Sequence, residues 1–178
     1  MKSESLHKYK FAVDVHYNDN GTANVSSLGF QEWNASDYKY ASTKIVENVK
    51  PYESGQFYKR ELPCIISILG EFNLDLVEYI IIDGYVWLGT VDKPGLGTYL
   101  YNALNQKIPI IGVAKSKYEH TPQDCAIYRG KSKHPLYITS IGVDLEQAKN
   151  FIQKMHGNNR IPTLLKKVDQ IARGIIEC

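Results

Sequence analysis

Residues 11–21 read FAVDVHYNDNG, and this stretch sets the start of the fold. Its first seven residues are mostly β-branched or aromatic, as is typical of a strand. The Asn-Gly pair that ends it tolerates the positive φ angles of a hairpin turn. Residues 22–31 and 41–49 also have strand-like content. We therefore predict an antiparallel meander of three strands joined by short links.

Beyond Pro51 the spacing of the apolar residues changes, and helices are predicted to alternate with short strands. Helices are expected at 57–72, at 95–105, from Asp144 onwards and at 162–173, with strands at 79–82 and 108–114 and a hairpin of 126–129 with 136–140. No repeat, low-complexity segment or linker divides the sequence. We predict one α/β domain over residues 1–178, whose mixed sheet has three antiparallel strands and then parallel strands, flanked by helices.

The composition excludes several classes of protein. The chain of 178 residues is 43% hydrophobic, which argues against disorder, and its net charge of +2 excludes a uniformly basic coat. Three cysteines without paired spacing predict neither a disulfide scaffold nor a zinc site. The apolar runs are too short to span a bilayer and residues 1–10 lack a signal-peptide core, so we expect a cytoplasmic protein. Thirteen tyrosines against five phenylalanines fit an aromatic binding surface as well as a core.

The near-neutral balance hides an uneven distribution of charge along the chain. Residues 1–89 carry eight basic and twelve acidic residues, whereas residues 90–178 carry thirteen basic and seven acidic ones. Much of the basic excess lies at Lys115, Lys117, Arg129, Lys131 and Lys133. We expect these side chains either to contact phosphates beside a cleft or to lie on a merely solvated face.

Two aspartates stand out because each lies within or directly after an apolar strand. Asp14 is flanked by Val13 and Val15, and Asp83 ends the run of residues 79–82. An unpaired buried charge is costly, and two carboxylates brought together repel each other unless a cation lies between them. Oxygen ligands without Cys or His favour a hard ion such as Mg²⁺ or Mn²⁺. The structural alternative is that each aspartate caps a strand end or pairs with an arginine.

Glu61 and Lys115 extend this candidate site. Glu61 lies in a predicted helix and is either a third carboxylate of the site or an exposed charge paired with Lys or Arg. Lys115 follows the predicted strand at 108–114, at the end where open α/β sheets bind ligands. It is either part of this site or a lysine that is simply solvated at the end of the strand. Metal-assisted phosphodiester hydrolysis is the chemistry that suits the whole set, Asp14, Glu61, Asp83 and Lys115.

These residues resemble motifs of the endonuclease V family, the deoxyinosine 3′ endonucleases of DNA repair and inosine-RNA cleavage. Residues 51–61 keep the register of that family's Pro-Tyr-x-Pro-Gly…Phe-Arg-Glu segment at Pro51, Tyr52, Gly55, Arg60 and Glu61. Residues 112–116 resemble its Gly-Val-Ala-Lys element, and residues 160–162 resemble its Arg-Leu-Pro. The resemblance runs from about residue 10 to residue 173.

The resemblance implies an RNase H-like fold and a Mg²⁺-dependent endonuclease. Asp14 and Asp83 would be its two metal aspartates, with Glu61 as a further carboxylate and Lys115 as the active-site lysine. Asp169 falls where the family has a metal-site His or Asp. The expected reaction is a cut one nucleotide 3′ of a hypoxanthine base, at the second phosphodiester bond, in DNA or RNA that contains inosine.

The same resemblance assigns residues to the substrate. Pro51 and Tyr52 would contact it, with Tyr52 in a wedge that fills the gap left by a flipped base. Gly55, Phe57 and Gly84 would line the pocket for that base. We expect a monomer that does not bind membranes.

Four departures mark a divergent member of that family and bear on its choice of substrate. Ser54 stands where the wedge has a second proline, and Lys59 replaces an apolar residue. Residues 89–94 occupy the region of the family's His-Pro-Arg element, and Val143 replaces a histidine. Two alternatives therefore stay open: a nuclease with another target, such as a branched, flapped or mismatched structure, or a catalytically silent RNase H-like domain that binds nucleic acid or a protein.

Overall fold

The computed structural model describes residues 8–178, which form a seven-stranded sheet and four α-helices. The strands are β1 (Tyr9–Tyr17), β2 (Ala23–Phe30), β3 (Tyr40–Val46), β4 (Val77–Asp83), β5 (Ile110–Ala114), β6 (Ala126–Ile127) and β7 (Leu136–Ile141). The helices are α1 (Tyr58–Leu69), α2 (Leu96–Ala103), α3 (Leu145–Lys154) and α4 (Thr163–Ala172). Every predicted strand and helix is present, with bounds shifted by a few residues. Residues 1–7 lie outside the described residues. The predictions that concern them are the extent of the domain and the absence of a signal-peptide core.

The strands lie in the order β3-β2-β1-β4-β5-β7-β6. The first three strands form the predicted antiparallel meander, and β4 and β5 join β1 in parallel. Helix α2 forms the crossover between β4 and β5 that parallel pairing requires. The predicted mixed sheet is thus confirmed, and β7 and β6 add the expected hairpin in antiparallel orientation at the far edge.

Helices cover both faces of the sheet. Helices α1 and α2 pack on one face, where Phe11, Ile65 and Leu100 are buried, and α3 and α4 pack on the other with Ile152 and Val168. This double burial explains why the central strands are nearly continuous apolar runs in the sequence. A charged side chain within such strands is costly, and the candidate site lies where β4 and β5 end and where β1 extends beyond its pairing with β4.

Two observations bear on expectations drawn from the composition. No helix within residues 8–178 is long and apolar enough to cross a membrane. All three cysteines are free thiols: Cys64 and Cys125 are buried, and Cys178 is exposed.

We expect Gly112→Ala to lower the free energy of unfolding by about 2 kcal/mol, because a side chain there overpacks the contact between β5 and the segment after β4. A Cβ added at Gly112 would lie 2.5 Å from the Gly84 carbonyl oxygen and 2.8 Å from Thr139 Oγ1. That hydroxyl accepts a hydrogen bond from the Val86 N–H at 2.8 Å. Urea denaturation measures the change. Gly70→Ala, where the nearest atom is 3.5 Å away, is the control and should cost little; equal midpoints for the two variants would contradict the prediction.

Candidate active site

Three of the predicted catalytic side chains come together at one edge of the sheet, where β4 and β5 end and β1 extends past its pairing with β4. In the register of β1 with β4, Val13 pairs with Ile82, so Asp14 and Asp83 follow side by side. Lys115 follows the last residue of β5, the next strand in the sheet. The sheet therefore carries two carboxylates and one ammonium to the same edge, where open α/β sheets bind ligands.

Asp14 is a buried aspartate near the end of the parallel part of the sheet. It is 7% exposed, and its Oδ1 atom accepts a hydrogen bond from the Val15 N–H at 2.9 Å. Burial, followed by the nearby carboxylates of Asp83 and Asp169, raises the pKa of Asp14 from 3.8 to about 7, and the Lys115 ammonium opposes this rise. The charged form of the side chain is thus disfavoured at this position, and a bound cation would favour it.

Glu61 reaches the same edge from helix α1. It is 5% exposed, and its Oε2 atom has no hydrogen-bond partner among the described residues. Burial and then the charges of Asp14 and Asp83 raise the pKa of Glu61 well above its usual value, against the effect of Arg60. Arg60 itself lies over the Tyr17 ring, 3.6 Å from its centroid. A buried carboxylate oxygen without a partner is costly, so this atom is free to bind a ligand.

Lys115 is held by contacts on both its side chain and its backbone. Its Nζ atom donates to Asp83 Oδ2 at 3.0 Å. Burial lowers the pKa of Lys115, but the Asp83 carboxylate outweighs it and leaves that pKa above its usual value. The Arg160 guanidinium donates to the carbonyl oxygens of Lys115, His134 and Pro135. Arg160, from the Arg-Ile-Pro element, thereby anchors the chain next to the lysine.

Asp169 approaches the group from helix α4, on the opposite face from Glu61. Arg173 Nε donates to its Oδ1 atom at 2.9 Å, one helical turn later. Partial burial opposes ionisation, but hydrogen bonds with Arg173 and Asp14 lower the pKa of Asp169 below its usual value. Asp169 is therefore an anion at neutral pH, and it adds to the negative charge around Asp14.

The chemistry of these side chains fits a divalent cation. Within residues 8–178, no three His, Cys, Asp or Glu side chains lie close enough to form a preformed metal cluster, and Lys115 and Arg173 hold two of the carboxylates in ion pairs. A cavity of about 20 Å³, room for one water molecule or ion, borders Asp14, Asp83 and Lys115, and its other seven lining residues are apolar. Oxygen-only donors, with two raised pKa values and one unpartnered oxygen, match the preference of Mg²⁺ or Mn²⁺.

An aromatic cavity of about 350 Å³ opens directly beside Asp83. It is lined by four of the five residues predicted to contact substrate, Tyr52, Gly55, Phe57 and Gly84. Tyr52 is 61% exposed and meets the edge of the Phe57 ring at a centroid distance of 6.2 Å. The fifth, Pro51, is exposed and does not line the cavity.

The lining of this aromatic cavity also contains residues that the motifs did not single out. Tyr58, Tyr85, Lys93 and Tyr118 all line it. Tyr85 donates its hydroxyl hydrogen to the Ser116 carbonyl oxygen at 2.7 Å and accepts the Tyr118 N–H at 2.9 Å. Two signals in the sequence pointed this way, the excess of tyrosine and the unusual segment 89–94, but neither identified the positions.

The basic residues of the second half divide between two roles. Lys117, Lys131 and Lys133 are exposed. Arg129, expected to contact phosphates or lie on a solvated face, is only 3% exposed, and this expectation is wrong. Its guanidinium donates to four backbone carbonyl oxygens, those of Met155, Gly157, Asn159 and Arg160. Arg129 is thus a structural residue that holds the segment between α3 and α4.

Comparison with known proteins gives one family match and several similar structures. The family model for Endonuclease V matches residues 1–131. A comparison with curated proteins gave no match. Endonuclease V of Ciona intestinalis, in complex with a 24mer DNA containing an inosine followed by a ribo-adenosine, superposes with a TM-score of 0.78 at 20% identity, covering 94% of this chain and 85% of the other.

Two further structures are similar over nearly the whole chain. Endonuclease V of Streptomyces avermitilis gives a TM-score of 0.73 at 23% identity, covering 94% of this chain and 80% of the other. Human ENDOV gives 0.71 at 22% identity, covering 96% and 85%. The predicted RNase H-like fold is thereby confirmed. The family match includes Asp14, Glu61, Asp83 and Lys115, whereas Asp169 lies beyond it.

Proposed function

The chain belongs to the endonuclease V family, and we propose that it is a metal-dependent endonuclease that cuts DNA or RNA at the second phosphodiester bond 3′ of a hypoxanthine base. The single observation that carries this proposal is the shared position of Asp83. This residue borders both the small cavity beside Asp14 and Lys115 and the aromatic cavity. A flipped base in the aromatic cavity would leave its own backbone close to the carboxylates. The inosine-containing DNA bound to the Ciona protein supports the choice of base.

The carboxylates are proposed to hold the cofactor. Asp14 and Asp83 would be its direct ligands, with Glu61 and Asp169 as further ligands or as groups that position water. Mg²⁺ or Mn²⁺, when bound, activates water and stabilises charge on the phosphate. A bound cation would offset the burial and the repulsion that raise the pKa values of Asp14 and Glu61, and would favour their ionised forms.

Lys115 is proposed to act on the scissile phosphate. Its ammonium already points at the carboxylate edge, where it contacts Asp83 at 3.0 Å. A fixed positive charge there stabilises the negative charge that develops on the phosphate oxygens, or orients the attacking water. The contacts of Arg160 with the Lys115 backbone keep the strand end in place for either role.

The aromatic residues are proposed to handle the base. Extracting a mispaired base costs only a few kcal/mol, and an aromatic side chain can restack the hole. Tyr52 is exposed at the rim of the aromatic cavity and suits this wedge role. Phe57, Gly55 and Gly84 would surround the extruded base, with Pro51 leading into the wedge.

Cleavage assays test the proposal directly. Purified protein with Mg²⁺ or Mn²⁺ is incubated with labelled single- and double-stranded oligonucleotides that carry one deoxyinosine or inosine. We expect one cut, at the second phosphodiester bond 3′ of the modified base, and no cut without a divalent cation. Binding without cleavage of any of these substrates would contradict the catalytic proposal.

A second candidate keeps the metal chemistry and changes the target. The observation that favours it is that Lys93 and Pro94, from the segment that replaces the family's His-Pro-Arg element, line the aromatic cavity. A panel of branched, flapped and mismatched substrates of matched length separates the two candidates. Faster cleavage of any of these than of the inosine substrates would favour the second, and preference for inosine would exclude it.

A further inference from the structure

One wall of the aromatic cavity is a loop, residues 88–94, whose two ends are joined by backbone hydrogen bonds. Trp87 and Pro94 form a β-bridge, and the Leu88 N–H donates to the Lys93 carbonyl oxygen at 2.8 Å. The Lys93 N–H in turn donates to the Thr90 carbonyl oxygen at 3.1 Å. The backbone of residue 93 is therefore fixed by hydrogen bonds on both sides, which places its side chain reproducibly at the cavity.

The Lys93 side chain is held against Tyr118. Its Nζ atom donates to the Tyr118 hydroxyl at 3.0 Å and lies 5.3 Å from the centroid of that ring. Tyr118 is itself held, because its N–H donates to the Tyr85 hydroxyl. An ammonium has three N–H donors, so two remain for a ligand in the cavity.

Lys93 is chemically distinct from everything else that lines the aromatic cavity. The other described lining residues are tyrosines, Phe57, glycines, leucines, Pro94 and Asp83. Lys93 is thus the one lining side chain with N–H donors and the one with a positive charge. Asp83, the lining anion, is already paired with Lys115 at 3.0 Å. A ligand with hydrogen-bond acceptors on one edge of an aromatic ring matches this arrangement.

We propose that Lys93 determines specificity by donating hydrogen bonds to O6 and N7 of a 6-oxopurine held in the aromatic cavity, an inference that rests on the proposed function. A 6-oxopurine such as hypoxanthine presents two adjacent acceptors on this edge, which is the pattern that lysine reads in nucleic acids. Adenine presents an N6 donor beside N7. Lys93 can therefore donate to N7 only, and its ammonium faces the N6 amino group, which is also a donor. Lys93 therefore favours 6-oxopurines over adenine, and the tyrosine rings supply stacking for any base.

The test removes the N7 acceptor from the base and the ammonium donors of Lys93 from the protein. Lys93→Met keeps the length of the side chain without its charge. Lys44→Met is the matched control, because Lys44 also pairs with a carboxylate, that of Glu71 at 3.4 Å, and does not line the cavity. Fluorescence anisotropy, with EDTA present, measures the binding of single-stranded oligonucleotides that carry either hypoxanthine or 7-deazahypoxanthine, which lacks N7. Circular dichroism and Tm confirm that each variant is folded.

We expect the wild type and Lys44→Met to bind hypoxanthine about tenfold more tightly than its 7-deaza analogue, as for one hydrogen bond from a charged donor. In Lys93→Met this ratio should fall to about one. An unchanged ratio in Lys93→Met, or a ratio of one in the wild type, would overturn the inference. If the wild type keeps the tenfold ratio but cleaves neither oligonucleotide with Mg²⁺ or Mn²⁺, the proposed catalysis fails and the role of Lys93 in recognition stands.

Discussion

Replacing Asp83 by Asn should lower the rate of cleavage on the order of 10³-fold while the protein stays folded. Asp83 borders both cavities and holds the Lys115 ammonium. Asn keeps the shape of the side chain and removes its charge, so the variant loses a proposed metal ligand and the partner of Lys115 together. Single-turnover cleavage of a deoxyinosine oligonucleotide with saturating Mg²⁺ measures the loss.

Asp37→Asn is the matched control for this prediction. Asp37 also pairs with a lysine, Lys167 at 3.2 Å, but it is exposed and borders neither cavity. We expect its cleavage rate to match the wild type, because a surface ion pair contributes little. If Asp83→Asn retained more than about a tenth of the wild-type rate, the carboxylate site would not be catalytic. Unchanged biological activity of that variant would favour a domain that only binds nucleic acid or a protein.

Without a divalent cation, the free energy of unfolding should decrease by on the order of 3 kcal/mol as the pH rises from about 4 to about 8. The pKa of Asp14 is about 7 in the folded protein and 3.8 ordinarily, so between these values the folded state holds a proton that the unfolded state has released. The stabilisation is complete below the unfolded pKa and is lost as the pH rises through the folded one. Glu61, whose pKa is also raised, acts in the same direction.

Urea denaturation at several pH values, with EDTA or with Mg²⁺, measures this dependence. Mg²⁺ should reduce the decrease, because a cation bound to ionised carboxylates stabilises the folded state at high pH. Asp14→Asn should also reduce it, because this variant has no proton to release at that position. If Asp14→Asn and the wild type lost stability equally between pH 4 and pH 8, the decrease would not come from this carboxylate.

Local patterns in the sequence were sufficient to predict the secondary structure. The FAVDVHY stretch became β1, and the Asn-Gly turn placed β2 beside it. Asp144 starts α3 as expected, since its side chain accepts a hydrogen bond from the Gln147 N–H. These features depend on residues close together in the chain, so they can be recognised without knowing the rest of the fold.

The sequence identified side chains that the structure brings together, but not their environment. Asp14 lies within an apolar strand and Asp83 ends one, Glu61 was a candidate third carboxylate in a predicted helix, and the family resemblance added Asp169. The unpartnered Glu61 oxygen and the pairing of Asp169 with Arg173 depend on how α1 and α4 pack on the two faces of the sheet. A helix's position on a sheet is decided by contacts between distant segments, and one sequence does not contain those distances.

Arg129 and Lys93 are two basic residues whose different roles could not be predicted from the sequence. Both are basic residues outside the family motifs. The fold buries Arg129 under carbonyl oxygens of residues 155–160, about thirty positions away in the chain, and it places Lys93 on a cavity whose other walls come from the segments around Phe57 and Tyr118. The sequence by itself determined the strands, the helices and the acidic residues at the strand ends, because these follow from local patterning and chemistry. Only the tertiary structure decided which basic side chains stabilise the fold and which line a cavity, because burial depends on segments that are far apart in the sequence.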